Sequence, residues 1–86
     1  MPELARFFGI IIGMVYNESA PPHFHAKYEQ DQGLIRIDDR QMIEGLLSAR
    51  ALHLVEEWRL LHVEELLSDW ERAQNRVPLT KIDLVE

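Results

Sequence analysis

An 86-residue chain with 47% hydrophobic residues is long enough for one small core and too apolar to remain disordered. Its 15 acidic against 9 basic side chains give a net charge of −6, which works against binding a polyanion, because nucleic-acid affinity rests on basic groups displacing counterions. The absence of cysteine excludes disulfides, thiol catalysis and a cysteine-ligated zinc, and fits a reducing compartment.

Residues 6–16 are rich in Phe and Ile and read as a strand, with Gly9 and Gly13 marking a bend, a bulge or a close backbone approach. The apolar run is far too short to span a bilayer, and Met1-Pro2-Glu3 opens no export signal, so the expectation is a cytoplasmic protein with no membrane partner. Residues 17–22, Asn-Glu-Ser-Ala-Pro-Pro, hold turn formers and form a loop. Residues 23–29 then alternate. His23, His25, Lys27 and Glu29 point one way, and Phe24, Ala26 and Tyr28 the other, which is the period of a half-buried strand. Asp31-Gln32-Gly33 reads as a turn, 34–38 as a third strand, 38–41 as a hairpin loop and 42–46 as a short fourth strand.

Ser48 is a suitable N-cap for the helical region that follows. Ala51, Leu54, Val55, Trp58 and Leu61 make one apolar stripe. Val63, Leu66, Leu67, Trp70 and Ala73 make a second, rotated by about a third of a turn. The change of phase predicts a kink or break near His62, where Glu64 and Glu65 favour a new helix start through the dipole. Pro78 ends the helix, and the alternation of 79–85 reads as a short final strand or an ordered tail. The expected architecture is a single α+β domain over 1–86: a β-rich meander at 1–47, helices at 48–76 and a tail at 77–86. Its antiparallel sheet has three or four strands, followed by a long kinked helix or two helices packed on one face, with a short C-terminal strand as an option.

Pro21-Pro22-His23-Phe24-His25 is the sharpest local chemical feature. Histidines at i and i+2 on a strand leave the same face with Cβ atoms roughly 7 Å apart. Imidazole titrates near neutrality, so the pair suits a general acid and base; equally, it can contact a partner or simply face solvent. Two imidazoles can also hold part of a metal site, but a catalytic zinc takes three protein ligands. The third would be His53, His62 or a carboxylate, and the spacing selects none, so the sequence assigns no metal and no cofactor. Arg6, Lys27 and Tyr28 are candidate binding groups near the pair, although solubility and sheet amphipathicity explain them as well. Trp58 and Trp70 lie in the helical stripes, where core or partner packing is the natural role. No phosphate-binding loop, dinucleotide fingerprint, nucleophile elbow, His-Glu-x-x-His or calcium loop is present.

Arg6-Phe7-Phe8-Gly9-Ile10, Asn17 and Pro21-Pro22-His23-Phe24-His25-Ala26-Lys27-Tyr28, followed by Leu52-His53-Leu54-Val55-Glu56-Glu57-Trp58 and His62-Val63-Glu64-Glu65-Leu66-Leu67-Ser68-Asp69-Trp70-Glu71, resemble domain of unknown function 4160, a family of small bacterial proteins. The similarity runs in order along essentially the whole chain. One departure is Leu47-Ser48, where members often show Leu-Pro; serine also caps a helix, so the fold is unaffected. The resemblance carries no established activity. It implies one half of a two-gene module, beside a second small family (domain of unknown function 2442), of a toxin–antitoxin-like kind. The leading expectation is therefore an interaction module that binds a small cognate protein. The alternative is a small ribonuclease-like enzyme using His23 and His25 as acid and base, with Arg6, Lys27 or Tyr28 stabilising phosphate. A homodimer through the sheet edge or the tryptophan face is a further option.

Overall fold

The computed structural model describes residues 1–39 and 42–82. Five strands form one antiparallel meander in chain order: β1 (Glu3–Phe7), β2 (Ile10–Gly13), β3 (His23–Tyr28), β4 (Asp31–Arg36) and β5 (Met42–Gly45). Two helices follow, α1 (Ala49–Leu61) and α2 (Val63–Gln74). The α+β architecture is the expected one, with one strand more than the upper estimate.

The extra strand comes from the first apolar run, which is two strands. A two-residue turn at Phe8-Gly9 pairs Phe7 with Ile10, and both turn residues have positive φ, 49° and 79°. That is the backbone of a type I′ hairpin turn, whose twist matches the flanking strands. Gly9 fits such a turn without cost; Phe8 hides it, because Asn, Asp or Gly usually occupies its position. The next hairpin turns at Glu29-Gln30, with Glu29 at φ 55°, so Asp31, Gln32 and Gly33 belong to β4 and are not the turn. Gly33 leaves room inside the strand for the side chains of Met42 and Leu47. A Cβ there would stand 2.9 Å from the Met42 sulfur and 3.3 Å from the Leu47 side chain, so both neighbours would have to shift to admit one.

Register sorts the side chains cleanly. On one face, Phe7, Ile10 and Tyr28 form a cross-strand row, then Ala5, Ile12, Ala26 and Gly33, then Phe24 and Ile35. Helix α1 covers this face. Trp58 stacks on Phe7 at 5.4 Å between ring centroids and meets Phe24 edge-on at 6.0 Å. The opposite face carries Arg6, Ile11, Lys27 and Gln32 in one row, Gly13, His25, Leu34 and Glu44 in the next, and His23 beside Arg36. Arg59, though buried, is satisfied: it grips Glu56 through two nitrogens (2.9 and 2.7 Å) and donates to the Ile37 carbonyl at 2.6 Å, which ties α1 to the end of β4.

The helical region breaks at His62, as the phase change predicts. The Ser48 hydroxyl accepts from Ala51 N at 3.2 Å and caps α1. At the start of α2, the His62 ring lies 2.7 Å from the Glu65 carboxylate and 5.0 Å from the Trp58 ring. Helix α2 ends against the loop joining β2 to β3, where Asn17 N donates to Ala73 O and the Gln74 side chain donates to Glu18 O. The tail returns along β1 through Ile82 N to Leu4 O, and the buried Asp69 accepts from Thr80 N. Residues 79–82 are thus an ordered tail. Arg40 and Gln41 of the expected hairpin loop, and residues 83–85 of the expected final strand, lie outside the described residues. No helix among the described residues is long and apolar enough to cross a membrane.

Candidate functional site

Alternation along β3 sends His23 and His25 to the same sheet face, and their rings stand 5.8 Å apart. They are not equally wet. His23 is only 7% exposed, because the loop over residues 14–22 and the Trp70 ring, 5.1 Å away, cover it; His25 is half-buried. The same loop delivers a third group. Glu18 Oε1 lies 2.9 Å from His23 Nε2 and 2.8 Å from His25 Nε2. His23 Nδ1 lies 2.7 Å from the Pro21 carbonyl oxygen, across a segment in which the Ala20–Pro21 peptide is cis. Partial burial pushes the Glu18 carboxyl up, but the hydrogen bonds from His25 and His23 and their positive charge outweigh it, and the net value is below the usual carboxylate range.

The loop that carries Glu18 is held at both of its polar contacts with α2, so the carboxylate is delivered by backbone anchored to the helix end. The ligand atoms of Glu18, His23 and His25 all lie within 4.8 Å of one another, a spacing that can hold a metal ion. Glu18 and His23 line a groove with Ser19, Leu34, Ile43 and Glu44, and His25 lines a second one that shares Leu34 and Glu44 with it. A separate cavity of about 610 Å³, bordered by Ile35, Leu52, Val55 and Glu56, lies between β4 and α1, away from the cluster.

The other candidate groups do not gather around the imidazoles. Arg6 is bound to Glu3 at 2.8 Å, two strands away from β3. Tyr28 is on the opposite sheet face. Lys27 shares the histidine face and is exposed, two positions beyond His25. Arg36, the cross-strand neighbour of His23, is engaged by Asp38 and Asp39. Trp58 and Trp70 are buried, at 3% and 8% exposure. Of the further histidines, His53 is exposed and paired with Glu57, and His62 is enclosed at the helix junction. Sequence reasoning left the third group open; Glu18 is the carboxylate that fills the position.

The fold and the cluster define a small α+β domain in which a loop carboxylate clasps two histidines on the polar face of a meander. The family model described as Domain of unknown function (DUF4160) matches residues 9–71, most of the chain, and the protein belongs to that family. The matched segment holds Glu18, His23, His25 and Trp70. No curated protein and no solved structure matches the chain.

Proposed function

We propose that this protein is an interaction module that pairs with a small basic protein, as one half of a two-gene, toxin–antitoxin-like unit. The observation that carries the reading is Phe8. It sits at the tip of the β1–β2 hairpin, 76% exposed, with φ 49°. A bulky side chain in left-handed backbone costs about 1–2 kcal/mol, and the exposed ring meets only one other ring among the described residues, that of Phe7, edge-on at 6.5 Å between centroids. Phe7 stacks on Trp58, and one turn beyond Trp58 lie Leu60 and Leu61, 63% and 79% exposed. Phe8 and the last turn of α1 thus each lie next to one member of the Phe7–Trp58 stack and expose large apolar groups, which a protein contact can cover.

Charge selects the partner. Two copies at −6 each repel, whereas a basic protein is attracted to a chain of this net charge. Co-expression with the product of the neighbouring gene, followed by size-exclusion chromatography with light scattering, tests this. A 1:1 complex that Phe8→Ser or Leu61→Ser disrupts supports it. Independent elution at micromolar concentration, or a homodimer alone, overturns it.

The ribonuclease-like reading retains the adjacent imidazoles of His23 and His25 but gains little else. Arg6 and Arg36 are committed to carboxylates, and Glu18 places negative charge where a phosphate would have to sit. Cleavage of total RNA that is abolished by His25→Ala would favour it over the interaction module.

A further inference from the structure

Both ring nitrogens of His23 face acceptors, so the contacts call for positive charge at the cluster, carried by a proton or by a metal ion. Its Nδ1 faces the Pro21 carbonyl oxygen at 2.7 Å, and a carbonyl only accepts, so this nitrogen carries the proton. Its Nε2 stands 2.9 Å from Glu18 Oε1, an acceptor that it can meet through a second N–H or through a cation held between the two. His25 turns its Nε2 to the same oxygen at 2.8 Å. Two imidazole nitrogens and a carboxylate thus converge, all within 4.8 Å of one another. A cation among them satisfies all three together.

We propose that Glu18, His23 and His25 are the protein ligands of a divalent transition-metal ion, in a two-histidine, one-carboxylate arrangement. The donor set decides the class of ion. Imidazole suits zinc, iron, cobalt or nickel, whereas magnesium and calcium take oxygen ligands. With metal–ligand bonds of about 2.0–2.2 Å, adjacent ligands of an octahedral ion stand about 3 Å apart and those of a tetrahedral ion about 3.4 Å apart. The observed nitrogen–oxygen separations, 2.8 and 2.9 Å, are near the first, while the set as a whole spans up to 4.8 Å, so the two imidazoles have to close on the ion.

The surroundings match what a bound metal needs. A ligating histidine donates its other N–H to a carbonyl or carboxylate, which fixes its tautomer and orientation, and His23 does this to Pro21. The Trp70 ring walls the buried side, and the Gln74 amide holds the backbone of Glu18. Three protein ligands leave further coordination positions toward the groove, open to water or to an incoming group. The ion would join the β2–β3 loop to β3, and because that loop is bonded to α2, it would fasten the helix end as well. This inference rests on the cluster alone and is independent of the partner proposal.

The test uses the full chain, freed of metal with a chelator, then titrated with zinc by calorimetry and with cobalt(II) by visible absorption. The expected result is a 1:1 complex with cobalt ligand-field bands, and zinc-induced shifts of the His23 and His25 imidazole NMR signals while those of His53 stay in place. Glu18→Gln and His25→Ala should each weaken binding by at least about tenfold, and His53→Ala should leave it unchanged. Both site variants alter groups that are only partly buried, and circular dichroism checks their fold. The NMR titration of the unaltered protein needs no variant. His23 and His25 signals unmoved by excess zinc overturn the proposal. So does binding that survives Glu18→Gln and His25→Ala yet disappears in His53→Ala, which would place the ion at the exposed His53–Glu57 pair.

Discussion

His23 answers to three neighbours at once: a carbonyl at one nitrogen, a carboxylate at the other and an indole against its face. All three come from outside its own strand. That is why two of the three cluster residues, and not the third, were legible in the sequence. The alternation of residues 23–28 put His23 and His25 on one face correctly, but Glu18 stands in an irregular loop with no periodicity, and bonds to Ala73 and Gln74, more than fifty positions away, set its place. Burial of Asp69 was equally hidden. It lies in an ordinary acidic helix, yet it is 1% exposed and accepts from Thr80 N and Arg72. Removing it breaks both hydrogen bonds but also removes its buried Oδ2, which has no partner among the described residues, so Asp69→Ala should destabilise the fold by about 1 kcal/mol in urea denaturation, and an unchanged midpoint would show that the tail needs no such anchor. At the surface, the hydrogen bond from Arg36 holds the Asp38 carboxyl below its usual range. A depressed folded value means that the pair's contribution is complete above the ordinary carboxylate pKa and fades as pH falls through the lowered one. Arg36→Gln should move the NMR titration midpoint of Asp38 upward; a fixed midpoint would contradict the assignment.

Elements were legible where a period or a cap announced them. The out-of-phase stripes around Trp58 and Trp70 located the break at His62, and Ser48 marked the start of α1. Ser48→Ala should cost about 1 kcal/mol of stability, read from chemical denaturation. Elements were misread where the turn chemistry was atypical. Phe8 and Glu29 both occupy left-handed backbone without being Gly, Asn or Asp, so the first hairpin passed for a single strand and the second turn was placed two residues late. Strain at Phe8 makes an inverted prediction. Phe8→Asn removes an exposed aromatic ring from a position that Asn adopts readily, and should stabilise the isolated domain by about 1 kcal/mol while weakening its association with a partner. A variant that unfolds more easily, or binds as before, would mean that Phe8 serves the fold instead.

Across the whole molecule, two polarities coexist. Excess acid, −6 overall, surrounds a domain that also exposes Phe8, Leu60 and Leu61. Steering by opposite charge combined with apolar contact predicts an association that slows as salt rises but persists at high salt, because screening weakens only the first component. Association rates measured across a salt series check this; rates indifferent to salt would remove charge from the recognition. The imidazole–carboxylate cluster is separate from that surface in chemistry, and its nature can be read without any partner. X-ray absorption at the zinc edge, on protein loaded with one equivalent, should show the multiple-scattering pattern of two imidazoles together with a short oxygen shell. A spectrum with no imidazole, or with a single one, would contradict a metal held by Glu18, His23 and His25.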